Sequence, residues 1–153
     1  NLNIEEARKN MKVFISHAFT EAKLAKRVAD SLKEDGFQVW DAAEMLPGEN
    51  WANNIGKALQ EAEAMVVLLT PESLKSFNVV SDISYAIGQE KYQGRIIPVI
   101  VSSSDNLDRE HIPWILKKFR MIYVPNLEQD NQQLKEITQA LKNVTSSDGL
   151  KVN

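Results

Sequence analysis

Asp82 is the only carboxylate between Ser73 and Gly88, with Ser73 and Ser76 just upstream of it. Ser16 and His17 stand directly after the apolar run Val13-Phe14-Ile15. The chain has no cysteine, which excludes disulfides, thiol nucleophiles and thiolate zinc sites and fits a reducing compartment. Its two histidines, His17 and His111, share no ligand spacing, so no metal site is expected. There is no Gly-x-Gly-x-x-Gly, no Gly-Lys-Ser/Thr phosphate loop and no Gly-x-Ser-x-Gly elbow. Any chemistry in this chain is therefore expected near Asp82. Each residue also has a plain structural alternative. Asp82 can favour a helix N-terminal region electrostatically, Ser16, Ser73 and Ser76 can cap turns, and His17 can be a partly exposed polar residue.

Positioning these residues requires buried strands. Ala64-Met65-Val66-Val67-Leu68-Leu69 is a short unbroken apolar run, which fits a strand buried on both faces. After the polar turn Thr70-Pro71-Glu72-Ser73, Val79, Ile83, Ala86 and Ile87 recur at helical spacing. In open α/β sheets, ligands bind just outside the carboxyl ends of such strands. Four more strands are read at 11–16, 37–40, 95–101 and 121–124. Pro98 lacks an N–H, which predicts a bulge or an unpaired face there. Helices are expected from Thr20 as N-cap through Leu24, Val28 and Leu32 to a stop at Gly36, from Trp51 to Ala62, and around Leu134, Ile137 and Leu141. Trp40 and Trp114 read as packing residues, and Tyr85 as either a pocket rim or a packing residue.

This alternation predicts an α/β fold: a flavodoxin-like five-stranded parallel sheet, order 2-1-3-4-5, with helices on both faces. Residues 1–10 read as a polar N-terminal extension, 11–144 as one domain and 145–153 as a polar C-terminal tail.

A chain of 153 residues with 43% hydrophobic and 25% charged residues is ordinary for one globular domain. Its net charge of -3 and lack of a basic stripe argue against nucleic-acid binding. The longest apolar runs fall far short of the roughly 18 residues of a membrane helix, so no membrane partner is expected.

Four stretches then carry a family resemblance: Val13-Phe14-Ile15-Ser16-His17-Ala18, Gly36-Phe37-Gln38-Val39-Trp40, Leu46-Pro47-Gly48-Glu49-Asn50-Trp51 and Arg95-Ile96-Ile97-Pro98-Val99. With 64–70 they stand in the order and spacing of a TIR (Toll/interleukin-1 receptor) domain of the bacterial kind, and the chain resembles that family over about 12–124. The resemblance implies a cytoplasmic signalling domain of bacterial immunity and antiphage defence that cleaves NAD at the nicotinamide–ribose bond and is activated by self-assembly with other TIR domains. NAD is then a substrate and no cofactor is needed. The alternative it implies is a non-catalytic TIR–TIR interaction module or a nucleotide-binding signalling domain.

In the enzymes of the family the catalytic residue is a glutamate on the helix after the third strand, and many bacterial members carry a tryptophan four residues before it. By position these fall on Asp82 and Asn78. The resemblance thus implies a catalytic Asp82, with activity weakened by its shorter side chain. It further implies Ser16, His17, Asp41, Ser73, Ser76 and Asn78 around the nucleotide, and Leu46, Pro47 and Gly48 in the interaction loop.

Overall fold

The computed structural model describes residues 11–40, 51–101, 112, 114–119, 121–124 and 131–151. The loop containing Asp41, Leu46, Pro47 and Gly48 lies outside the described residues, as does His111. Five strands, β1 (Lys12–Ser16), β2 (Gln38–Trp40), β3 (Ala64–Leu69), β4 (Ile96–Val101) and β5 (Ile122–Val124), form one sheet. Its order is β2-β1-β3-β4-β5, as the sequence predicts, and every pairing is parallel. The helices are α1 (Ala22–Glu34), α2 (Trp51–Glu61), α3 (Pro71–Lys75), α4 (Phe77–Ile87) and α5 (Asn131–Lys151). The last continues through 145–151, within the stretch read as a polar tail.

The pleat sorts the core. Successive strand residues point to opposite faces, so in β3 Ala64, Val66 and Leu68 join one cluster and Met65, Val67 and Leu69 the other. The first is closed by α1 (Ala25, Val28, Ala29, Leu32) and α5 (Leu134, Ile137, Leu141). The second is closed by α2 (Ala58, Leu59), α4 (Val79, Ile83, Ala86), Tyr92 and Leu116. All six residues of β3 are buried, as its unbroken apolar run requires.

Pro98 sits in register opposite Val67 with no bulge in the β3–β4 ladder. Met65 N–H donates to the Arg95 carbonyl, so Arg95, Ile97 and Val99 turn their polar groups toward β3 and Pro98 turns toward β5. The β4–β5 register begins only at Val99. Of the two outcomes predicted for Pro98, the structure shows the unpaired side.

Thr20 does not cap α1. Glu21 N–H bonds to the Ala18 carbonyl at 2.8 Å, closing a tight 3-10 turn over Phe19–Glu21 that takes in Thr20, and the helix begins at Ala22. Gly36 does end it: Phe37 N–H reaches the Leu32 carbonyl and Gly36 N–H the Lys33 carbonyl, each at 3.1 Å. This is a Schellman closure with Gly36 at φ 94° and Phe37 packed in the same cluster as Leu32. No atom lies within 4 Å of a Cβ built on Gly36. Gly36→Ala is therefore expected to lower unfolding free energy by about 1 kcal/mol through backbone conformation alone, read as a lower urea midpoint at unchanged slope. Trp114, expected to pack, is 68% exposed with Lys118 Nζ 5.0 Å from its ring centre, because Leu116 takes the buried side of that short 3-10 turn.

Candidate active site

Two consecutive caps aim α4. Thr70 and Ser73 form a reciprocal box, with Ser73 N–H on Thr70 Oγ1 at 3.0 Å and Thr70 N–H on Ser73 Oγ at 2.8 Å, and Pro71 opens the turn. The polar turn read after β3 is thus the short helix α3. Ser76 ends α3 and its Oγ accepts Val79 N–H at 3.4 Å, starting α4. With Val79, Ile83 and Ala86 buried against the sheet, Asp82 on the same helix is directed at the end of β1.

There Ser16 Oγ donates to Asp82 Oδ2 at 2.9 Å. Ser16 is the last residue of β1, 1% exposed, and pairs in register with Val67 of the central strand. The chain leaves β1 for β2 on one side and β3 on the other, so these carboxyl ends form the topological switch point where such sheets bind ligands. Asp82 lies in the second turn of α4, beyond the first-turn reach of the helix dipole. Burial pushes its carboxyl from the ordinary 3.8 up to about 6, while the Ser16 hydrogen bond acts in the opposite direction. Behind it, burial first, then Tyr85 and the Asp82 charge, push the Tyr92 phenol up. Tyr92 Oη donates to the Leu59 carbonyl at 2.6 Å, and Lys91 Nζ donates to the Leu59 and Gln60 carbonyls, which fastens the end of α2.

A pocket of about 280 Å³ opens in front of Asp82. Its apolar wall is Phe14, Ile15, Phe19, Ala22, Trp40 and Ile55, and its polar groups are His17, Ser76, Asn78 and Asp82. Phe14 and Trp40, register partners across β1 and β2, stack with ring centres 5.2 Å apart and planes at 7°. His17 Nδ1 lies 3.2 Å from the Ile15 carbonyl oxygen and donates to it when it carries the proton.

The structure thus gathers His17, Ser76, Asn78 and Asp82 on one pocket. It sets Ser16 behind Asp82 rather than on the lining, and it commits the fully buried Ser73 to the Thr70 box, away from the pocket. Tyr85 packs edge-on against Tyr92, centres 6.4 Å apart, and is not on the lining. Sequence reading missed Phe14, Ile15, Phe19, Ala22 and Ile55 as lining residues, and it took Trp40 as packing alone. The pleat parity that separates Phe14 from Ile15 was present in the sequence, but the Phe14–Trp40 register was not. Among the described residues no group of His, Cys, Asp and Glu is assembled for a metal, and no helix is long and apolar enough to cross a membrane.

The parallel order β2-β1-β3-β4-β5 with helices on both faces defines a flavodoxin-like α/β domain. The TIR domain family model matches residues 13–138, and the chain belongs to the TIR domain family. Among solved structures, it is similar to a metazoan TIR-STING receptor from C. gigas in complex with 2',3'-cGAMP, at TM-score 0.68 and 20% identity, covering 85% of this chain and 39% of that one. The chain thus spans about two-fifths of that receptor. It is also similar to the TIR domain of the Toll-related receptor TRR-2 from Hydra magnipapillata, at TM-score 0.62 and 14% identity, covering 88% and 95% of the two chains. A third similarity, at TM-score 0.53 and 18% identity, is to the TIR domains of the activated Roq1 resistosome recognizing the pathogen effector XopQ, covering 89% and 84%. At these identities the solved structures speak for the fold. Comparison with curated proteins found no match.

Proposed function

We propose that this domain cleaves NAD at the nicotinamide–ribose bond, as a self-assembling, cytoplasmic immune-signalling TIR domain of the bacterial kind. The observation that carries the reading is the Ser16–Asp82 contact: a carboxylate held at 2.9 Å by a buried hydroxyl, facing a pocket at the switch point. Nicotinamide leaves a cationic pyridinium as a neutral molecule, so the departure needs no general acid. Charge develops on the ribose as an oxocarbenium ion. A fixed, partly desolvated carboxylate stabilises that charge better than water does. Asp82 is the group that bears on the ribose, and Ser16 orients it. The stacked Phe14–Trp40 pair gives the pocket one apolar wall. His17, Ser76 and Asn78 supply polar contacts at its mouth.

Only ionised Asp82 does this, so nicotinamide release is expected to rise with pH through about 6 and level off above it. The Ser16 hydroxyl favours the ionised form. Ser16→Ala is therefore expected to move that rising limb to higher pH, with Ser16→Thr holding it near the wild-type position. An unmoved limb in Ser16→Ala removes the positioning role.

Asn78 and the shortened carboxylate support a second reading, a nucleotide-binding or TIR–TIR interaction module without turnover. The two separate on nicotinamide release from NAD, measured in dilute solution and under crowding. Release that grows faster than protein concentration supports the assembling enzyme. Absence of release in both states leaves the interaction module.

A further inference from the structure

We infer that Phe19 is a specificity residue at the mouth of this pocket, where its ring stacks on the adenine of a dinucleotide whose nicotinamide riboside lies against Asp82. This rests on the proposed NAD-cleaving reading and names the side chain by which the site prefers a dinucleotide to a mononucleotide. The lining has a depth. Phe14 and Ile15 are buried, His17 is half-buried, and Phe19 is 94% exposed although it lines the same pocket. Phe19 and Asn78 are the exposed members of the described lining, so they mark the mouth. Asp82 lies deeper, against the buried Ser16 at the end of β1. A substrate whose reacting bond reaches Asp82 therefore carries its other half out across that mouth. The turn presenting Phe19 is fixed beforehand, because Glu21 N–H closes it on the carbonyl of the buried Ala18 at 2.8 Å. A ring held in place before the ligand arrives loses little freedom on binding.

Size points the same way. At about 280 Å³ the pocket lies at the lower end of ligand sites, which start near roughly 300 Å³. One ring and one ribose suit it, so the second nucleoside of a dinucleotide lies at the mouth. A base laid on the Phe19 ring takes both apolar faces out of water, and every base has a face that can stack in this way. Phe77 supplies the comparison. It is also exposed and stands between Ser76 and Asn78, but it is not on the lining. Single exposed apolar side chains are ordinary on a protein surface. Phe19 differs from Phe77 in standing where a ligand must pass.

The test follows nicotinamide release from NAD and from nicotinamide mononucleotide under one crowding condition, in wild type, Phe19→Ala, Phe19→Tyr and Phe77→Ala. Calorimetric binding of ADP-ribose to the same four proteins gives a readout that needs no turnover. In Phe19→Ala, KM for NAD and Kd for ADP-ribose are expected to rise about tenfold or more, the loss of one base–aromatic stack. kcat for NAD and KM for the mononucleotide should stay at their wild-type values. Phe19→Tyr keeps a stacking face and should behave as wild type, as should Phe77→Ala. Unchanged KM and Kd in Phe19→Ala, or an equal rise in KM for the mononucleotide, would overturn the inference while leaving NAD cleavage standing. ADP-ribose that binds through Phe19 without any nicotinamide release keeps the adenine site and removes the cleavage reading. ADP-ribose that does not bind wild type overturns the inference, whether or not NAD is cleaved.

Discussion

Asp82→Asn is expected to lose nicotinamide release and to unfold at higher temperature. The loss follows from removing the charge that faces the developing oxocarbenium ion, an effect on the order of a hundredfold to a thousandfold for one electrostatic stabiliser. The gain in stability has a separate cause. Burial raises the folded-state carboxyl to about 6 from an ordinary 3.8, so the folded protein holds the Asp82 proton more tightly than the unfolded chain. Between those values stability falls as pH rises. Above about 6 the full cost of the ionised group is present, and below 3.8 it is absent. That cost is on the order of 2 kcal/mol, reduced where water enters the pocket. Asparagine avoids it, and its side-chain oxygen still accepts from Ser16. Thermal unfolding at pH 7.5 should show the variant several degrees above wild type, with the gap closing toward pH 4. Asp82→Glu tests reach: one more methylene carries the carboxylate further into the pocket, and a displacement of about 1 Å can change rate on the order of a hundredfold. A faster Glu variant is expected. Equal rates in wild type, Asn and Glu would take Asp82 out of the chemistry. A variant no more stable than wild type at pH 7.5 would mean the carboxylate is solvated.

Phe14→Ala is expected to cost about 3–5 kcal/mol. Phe14 is 2% exposed, packs among Met65, Val67 and Val79, and stacks on Trp40. Truncation leaves a void beneath the pocket that the paired strands β2, β1 and β3 cannot close. Such a loss is a large share of the 5–15 kcal/mol that holds a domain of this size together. The urea midpoint should fall accordingly, while Phe14→Leu retains most of it. In any folded fraction KM should rise more than kcat falls, since a binding wall is removed and Asp82 is not touched. A midpoint within error of wild type would show that Trp40 and Ile55 collapse into the space.

Local rules were enough for the elements. The unbroken run at 64–69 specifies a strand buried on both faces because it is apolar at both pleat parities, and Gly36 specifies a helix stop because its backbone takes a positive φ. Strand alternation then implies the parallel order 2-1-3-4-5 through general chirality and connection rules. Capping at Thr70 and Ser76 is equally local, yet it competes for the same serines that a pocket would use. Ser73 went to the cap and Ser76 serves both, a choice set by which way α3 turns. The resemblance pointed to position 82, but the partner of Asp82 is Ser16, 66 positions earlier, and only the closure of β1 against β3 and α4 brings them to 2.9 Å. The same holds for the stack of Phe14 on Trp40, which depends on the β1–β2 register. Trp114 was misjudged because hydrophobicity alone does not say which side of a short 3-10 turn meets the core, and Leu116 took that side. The sequence by itself determined the five strands and most of the helices, since those follow from neighbours in the chain, but Thr20 proved not to be a cap and 71–75 and 145–151 proved helical. The raised carboxyl of Asp82 was decided by the tertiary structure alone, because desolvation depends on what the rest of the fold packs around it.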